Sequence, residues 1–102
     1  MTKKATKVVA VSQANLYPKV GDTIFIRTVT HHYTGRVVAA DKAFVALANA
    51  AWIAEDGRFA QALADGALNE VEPYPNQVVV RVSLGAVVDW CEWLHDLPRV
   101  QK

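Results

Sequence analysis

Two runs of β-branched and aromatic residues, Thr23-Ile24-Phe25-Ile26-Arg27-Thr28-Val29-Thr30 and Tyr33-Thr34-Gly35-Arg36-Val37-Val38-Ala39, flank a polar tip at His31-His32 and predict a strand pair. Ahead of them, Tyr17-Pro18-Lys19-Val20-Gly21-Asp22 reads as a turn, because proline cannot donate to a ladder and glycine punctuates. A third strand is predicted from Phe44 to Leu47, with Ala48 as an extension. From Ala50 to Asn76 the period changes. Within 57–66, Phe59, Ala62 and Leu63 fall on one helical face, Asp56 is positioned as an N-cap and Gly66 as a stop. Trp52, Phe59 and Leu63 are expected to dock this two-turn helix. Glu72-Pro73-Tyr74-Pro75-Asn76 reads as an extended linker, since each proline biases its predecessor toward extended geometry. Gln77–Leu84 and Val87–Leu94 then predict two strands around a bend at Gly85. At the start, Lys7–Ser12 reads as an extra strand and Ser12–Leu16 as one helical turn capped by Ser12. Asp96–Lys102 reads as a loose tail.

The 102 residues are 52% apolar and 21% charged, enough for a single core that needs no covalent staple. Cys91 is the single cysteine, so an internal disulfide is excluded and a reducing compartment, the cytoplasm, is expected. Val8–Val11 is too short for the core of a signal peptide, and no run approaches the roughly 18 apolar residues of a membrane helix. Net charge is +1, which argues against strong non-specific attraction to nucleic acid. Yet residues 1–42 carry seven Lys/Arg against two acids, and residues 43–102 carry four against eight. If these segments occupy different faces, the molecule is electrostatically two-sided.

Gly35 stands six residues before Asp41, a valine-rich stretch lies between them, and Phe44-Val45-Ala46-Leu47 follows. This resembles the first motif of Sm-like proteins, and Val80-Arg81-Val82-Ser83-Leu84-Gly85-Ala86-Val87-Val88 resembles their second, a strand, a tight turn and a strand. The Phe-Val-x-Leu variant looks most like the bacterial Sm-like RNA chaperones. Arg27-Thr28, Gly35, Asn49-Ala50 and Trp52 also resemble the layout of small phage-encoded proteins. The resemblance implies a mainly β fold: a small five-stranded, strongly bent SH3-like or Sm-like barrel with one short inserted helix. It divides the chain into a basic N-terminal arm (1–21), the barrel (22–94) with an insertion at 54–76, and a C-terminal tail (95–102). The insertion departs from the short turn usual in that family.

The resemblance further implies a homo-oligomeric ring, closed by pairing the open edges of neighbouring copies. The edges would be Val78–Ser83 and Val87–Cys91, which carry no proline and only Arg81 and Asp89 as charges. Val78, Val80, Val82, Val87 and Trp90 are the candidate interface residues. At the family's RNA-binding pore, Asp41 would brace the loop, Phe44 would offer a stacking face and Arg81 would meet phosphate or a base edge, with Lys3, Lys4 and Lys7 as a basic arm. This chain has Val45 and Val80-Arg81-Val82 where those pores carry amide, tyrosine or histidine edges, which removes the groups for base-specific readout. RNA or single-stranded nucleic acid is therefore a candidate partner for weak binding. A membrane is not.

His31 and His32 are strand neighbours that point to opposite faces and cannot chelate one metal together. Alternation puts Trp90, Glu92 and Leu94 on one face and Cys91 with Trp93 on the other, so Asp89, Glu92 and Asp96 imply no tight carboxylate pair. No catalytic residue, metal or cofactor is expected. The expected function is a ring-forming, non-enzymatic scaffold or adaptor. The alternatives are an RNA-binding ring using the pore loops and a phage structural or assembly protein.

Overall fold

The structure, a computed structural model, describes residues 16–102. Lys3, Lys4 and Lys7, the strand expected over Lys7–Ser12 and the cap at Ser12 lie outside the described residues. The chain order is β1 (Thr23–Thr28), β2 (His32–Ala40), β3 (Phe44–Glu55), α1 (Phe59–Asp65), β4 (Glu70–Pro73), β5 (Val80–Ser83) and β6 (Val87–Glu92). The strands form one antiparallel, six-stranded sheet in the order β4-β3-β2-β1-β6, with β5 also on β3. No described helix is long and apolar enough to cross a membrane.

β3 is the spine of this sheet. Its first half, Phe44–Leu47, pairs with β5, and its second half, Ala51–Glu55, pairs with β4, while β2 runs along its other side. Between the halves the β2–β3 register shifts, and Asn49 takes a positive φ of 50°. Asparagine tolerates that left-handed conformation better than most residues, and a bulge of this kind bends its strand. Opposite the bulge lies Gly35. A Cβ there would sit 2.9 Å from Leu47 Cβ, so the close approach of β2 and β3 requires glycine.

Alternation along these strands divides the buried residues between two cores. One gathers Ile24, Ile26, Val37, Val45, Leu47, Ala50 and Val82, with Val80, Val87 and Trp90 packed against it. The other gathers Phe25, Ala51, Ile53, Ala62, Leu68, Val71 and Trp93, placing α1 on the opposite face of the sheet. Phe25 anchors this second core, with Trp93 stacked at 5.8 Å between ring centroids and Phe59 edge-on at 5.9 Å.

Several expectations are refined. β3 runs eight residues past Leu47, and the insertion contributes β4 as a sixth strand that includes Glu72 and Pro73 of the expected linker. Gly66 ends α1 as expected, at φ 73°, where a Cβ would also collide with the His95 ring. The helix begins after Arg58, however, and Asp56 holds His32 instead of capping it. Trp52 does not dock α1. It lies beside His31, 5.6 Å between ring centroids. The bend at Gly85 is a single 3-10 turn over Leu84–Ala86, with no positive φ at the glycine. The segment expected to be loose is held instead. Arg99 donates to the carbonyl oxygens of Ala50 and Tyr74 and to Asn76 Oδ1, and Lys102 exchanges two backbone hydrogen bonds with Val71 of β4.

Candidate functional site

The two sequence motifs meet in space through β3 and β5. Phe44 pairs with Ser83 and Ala46 with Arg81, and the Leu84 N–H donates to Ala43 O at 2.8 Å, tying the β2–β3 turn to the 3-10 turn. Within the β2–β3 turn, Asp41 Oδ1 accepts from the Ala43 and Phe44 N–H groups, each at 2.8 Å. Those two donors favour the ionised carboxylate and hold Asp41 below the usual carboxylate range. Asp41 therefore braces its loop. Because Val45 and Val82 face the core, their neighbours Phe44 and Arg81 face outward, and Phe44 is 50% exposed. Arg81 Nη1 donates to Val79 O, and no carboxylate pairs with Arg81 among the described residues. Beside this turn is a largely apolar cavity of about 570 Å³ bordered by Tyr17, Pro18, Ala40, Asp41, Lys42, Val45 and Leu84.

The candidate interface residues divide by environment. Val82 is in the core, Val80, Val87 and Trp90 are half-buried against it, and Val78 is exposed. Among the described residues β5 has one strand partner, β3, and β6 has one, β1. β4 differs, because Lys102 occupies its outer edge. Among the described residues these two edges are thus open, joined by the single 3-10 turn.

On β6, Asp89 accepts from Arg27 Nε at 2.8 Å and from Nη2 at 2.5 Å, a forked pair lying beside Phe59, whose ring sits 4.7 Å from the guanidinium carbon. The hydrogen bond from Arg27 lowers the Asp89 pKa, and the same contact raises that of Arg27. The Asp89 side chain is still 51% exposed. Burial pushes the Cys91 thiol up, away from thiolate reactivity.

The two histidines separate as alternation requires. His31 stacks near Tyr33 and Trp52, while His32 faces Phe25 and lies 2.9 Å from Asp56 Oδ2. Among the described residues no group of three or more His, Cys, Asp or Glu converges for a metal. Tyr17 and Lys42 at the cavity, and the Arg27–Asp89 pair, were not singled out by motif. The only hint was Lys42 directly after Asp41. Charge follows the spine: Arg81 pairs with Ala46 and Arg36 with Ala48 toward the start of β3, while Glu72 and Glu70 pair with Trp52 and Glu55 in its second half. No family model, curated protein or solved structure matches the chain.

Proposed function

We propose that the sheet is bent into an SH3-like, Sm-like barrel and that the protein is a non-enzymatic scaffold or adaptor that assembles with itself into a ring. The observation that carries this reading is the pair of edges, β5 and β6, that are open among the described residues, beside a third edge strand, β4, that the chain covers with its own Lys102. Open strand edges are otherwise a liability, so leaving two of them without proline supports a use for them. Repeating one edge-to-edge contact by rotation closes a ring. Native mass measurement over a range of protein concentrations tests this. A fixed multiple of the chain mass is expected, and a monomer at every concentration would overturn it.

A second reading is a ring that binds single-stranded RNA. The exposed Phe44, with Arg81 on the same outward face and Lys42 in the adjoining turn, favours it. Base stacking on one aromatic ring contributes about 1–3 kcal/mol, so Phe44→Ala should weaken binding of an oligouridine by about fivefold or more, and binding should fall steeply as salt rises. Binding unchanged in that variant would remove the stacking role.

A further inference from the structure

At the end of β3 away from β5, Tyr33 of β2, Trp52 of β3 and Glu72 of β4 stand directly opposite one another in neighbouring strands. Ala51, Ile53 and Val71 turn into the second core with α1, so this row lies on the other face of the sheet. The His31 ring stacks on Tyr33 at 6.0 Å and meets Trp52 at 5.6 Å between centroids, yet Trp52 is still 38% exposed. We infer that this face binds a basic peptide segment of a partner protein, with one arginine side chain laid against Trp52 and held by Glu55, and a second basic side chain on Glu70 and Glu72. The site lies within one chain, so the inference goes beyond the ring and holds with or without it.

Three observations point to a cation-bearing partner. The first is the exposed indole, whose face attracts a guanidinium and whose residue type is enriched among the anchors of protein interfaces. The second is a largely polar cavity of about 230 Å³ beside it, bordered by Thr30, His31, His32, Trp52, Glu55 and Asp56. That volume is below the roughly 300–1,000 Å³ of pockets that enclose a whole small molecule, and it suits the head of one side chain. His32 Nδ1 lies 2.9 Å from Asp56 Oδ2 and engages that carboxylate. Glu55 accepts from the Gly57 N–H alone, at 3.2 Å, and keeps acceptor capacity for a ligand.

The third is an uncompensated pair of like charges. Glu55 and Glu70 are directly opposite in the β3–β4 ladder, an arrangement that weakens strand pairing. Glu72 accepts from the neutral Gln101 amide at 3.1 Å, and among the described residues no lysine or arginine pairs with Glu55, Glu70 or Glu72. A cationic segment laid across β4 toward Trp52 relieves this repulsion, whereas nucleic acid is repelled by the same carboxylates. Arginine suits the cavity better than lysine, because a planar guanidinium stacks on an indole while its fork donates to a carboxylate.

Titration of acetyl-tetra-arginine amide into the full chain, followed by two-dimensional NMR, tests the site. The Trp52 indole N–H and the backbone amides of His31, Glu55 and Glu72 should shift together, and binding should weaken as salt rises. Trp52→Ala should weaken binding by about threefold or more, as expected for a cation over an indole, and Trp52→Phe should keep part of the affinity. Glu70→Gln combined with Glu72→Gln should also weaken it, in a variant that removes charge at two exposed positions, and thermal melts confirm that each variant is folded. Tetra-lysine, with equal charge, should bind more weakly. Shifts that avoid Trp52, tetra-lysine binding as tightly as tetra-arginine, or variants that bind like the wild type would each overturn the site. So would a chain carrying Lys3→Gln, Lys4→Gln and Lys7→Gln that binds the peptide more tightly and has its Trp52 signals displaced before any peptide is added, since the chain's own lysines would then be the occupant. Native mass reads the ring separately, so the failure of either reading leaves the other standing.

Discussion

Thr34 is fully buried in β2, paired with Phe25 on one side and Ala51 on the other, and its Oγ1 has no hydrogen-bond partner among the described residues. Thr34→Val replaces that hydroxyl with a methyl group and keeps the β-branch, so the rotamer preference and strand propensity are preserved. An unpaired hydroxyl in an apolar site costs about 1–3 kcal/mol on mutational scales. The methyl group is slightly larger than the oxygen and takes back part of that through crowding, leaving a net gain of about 1 kcal/mol. For a domain of this size that corresponds to roughly 4–8 °C in Tm. Urea and thermal unfolding measure it, with wild type and variant at one fixed protein concentration because the proposed ring would make the midpoint concentration-dependent. The urea midpoint should rise with m unchanged. A variant less stable than the wild type by about 1 kcal/mol or more would refute the reasoning, since the hydroxyl would then be making a favourable interaction.

Gly35→Ala places a methyl 2.9 Å from the Leu47 Cβ, a backbone-near atom that cannot swing away, and should destabilise by about 1–3 kcal/mol in the same melts. Asp41 and Asp89 both have folded pKa values below the ordinary carboxylate range, Asp41 through the Phe44 and Ala43 N–H groups and Asp89 through Arg27. Their contribution to stability is therefore complete above the unfolded carboxylate pKa and is lost as pH falls through the depressed folded values. Urea midpoints measured from neutral pH to below about pH 3 should fall, and Asp41→Ala should flatten part of that fall, whereas an equally steep acid limb in the variant would contradict the turn's role.

The β1–β2 hairpin was legible in the sequence because Ile24, Phe25, Ile26 and Val37 are strong strand formers in long runs. The start of β3 was legible for the same reason. Its continuation was not, because Ala48-Asn49-Ala50-Ala51 has weak strand preference and depends on pairing with β2 and β4 for its conformation. β4 has one buried residue, Val71, and four residues in all, too few for a period to register. The segment after Asp96 has no periodicity either, and its order comes from Arg99 reaching the Ala50 and Tyr74 carbonyl oxygens, a contact between positions far apart in the chain. In the candidate site, Asp41 was legible through its spacing from Gly35 and Phe44, and its hydrogen bonds fit the expected brace. The outward direction of Phe44 followed only once Val45 was fixed in the core. The Arg27–Asp89 pair joins residues 62 positions apart, and no local pattern announces it.

One strand, β3, lends a half to each partner strand on its outer side and residues to both cores: Val45, Leu47 and Ala50 to the first, Ala51 and Ile53 to the second. The two cores are expected to melt together, in one transition followed alike by different probes, because the backbone that crosses Asn49 belongs to both. Damage to either face of the sheet would then be felt as a loss of stability by the whole described domain.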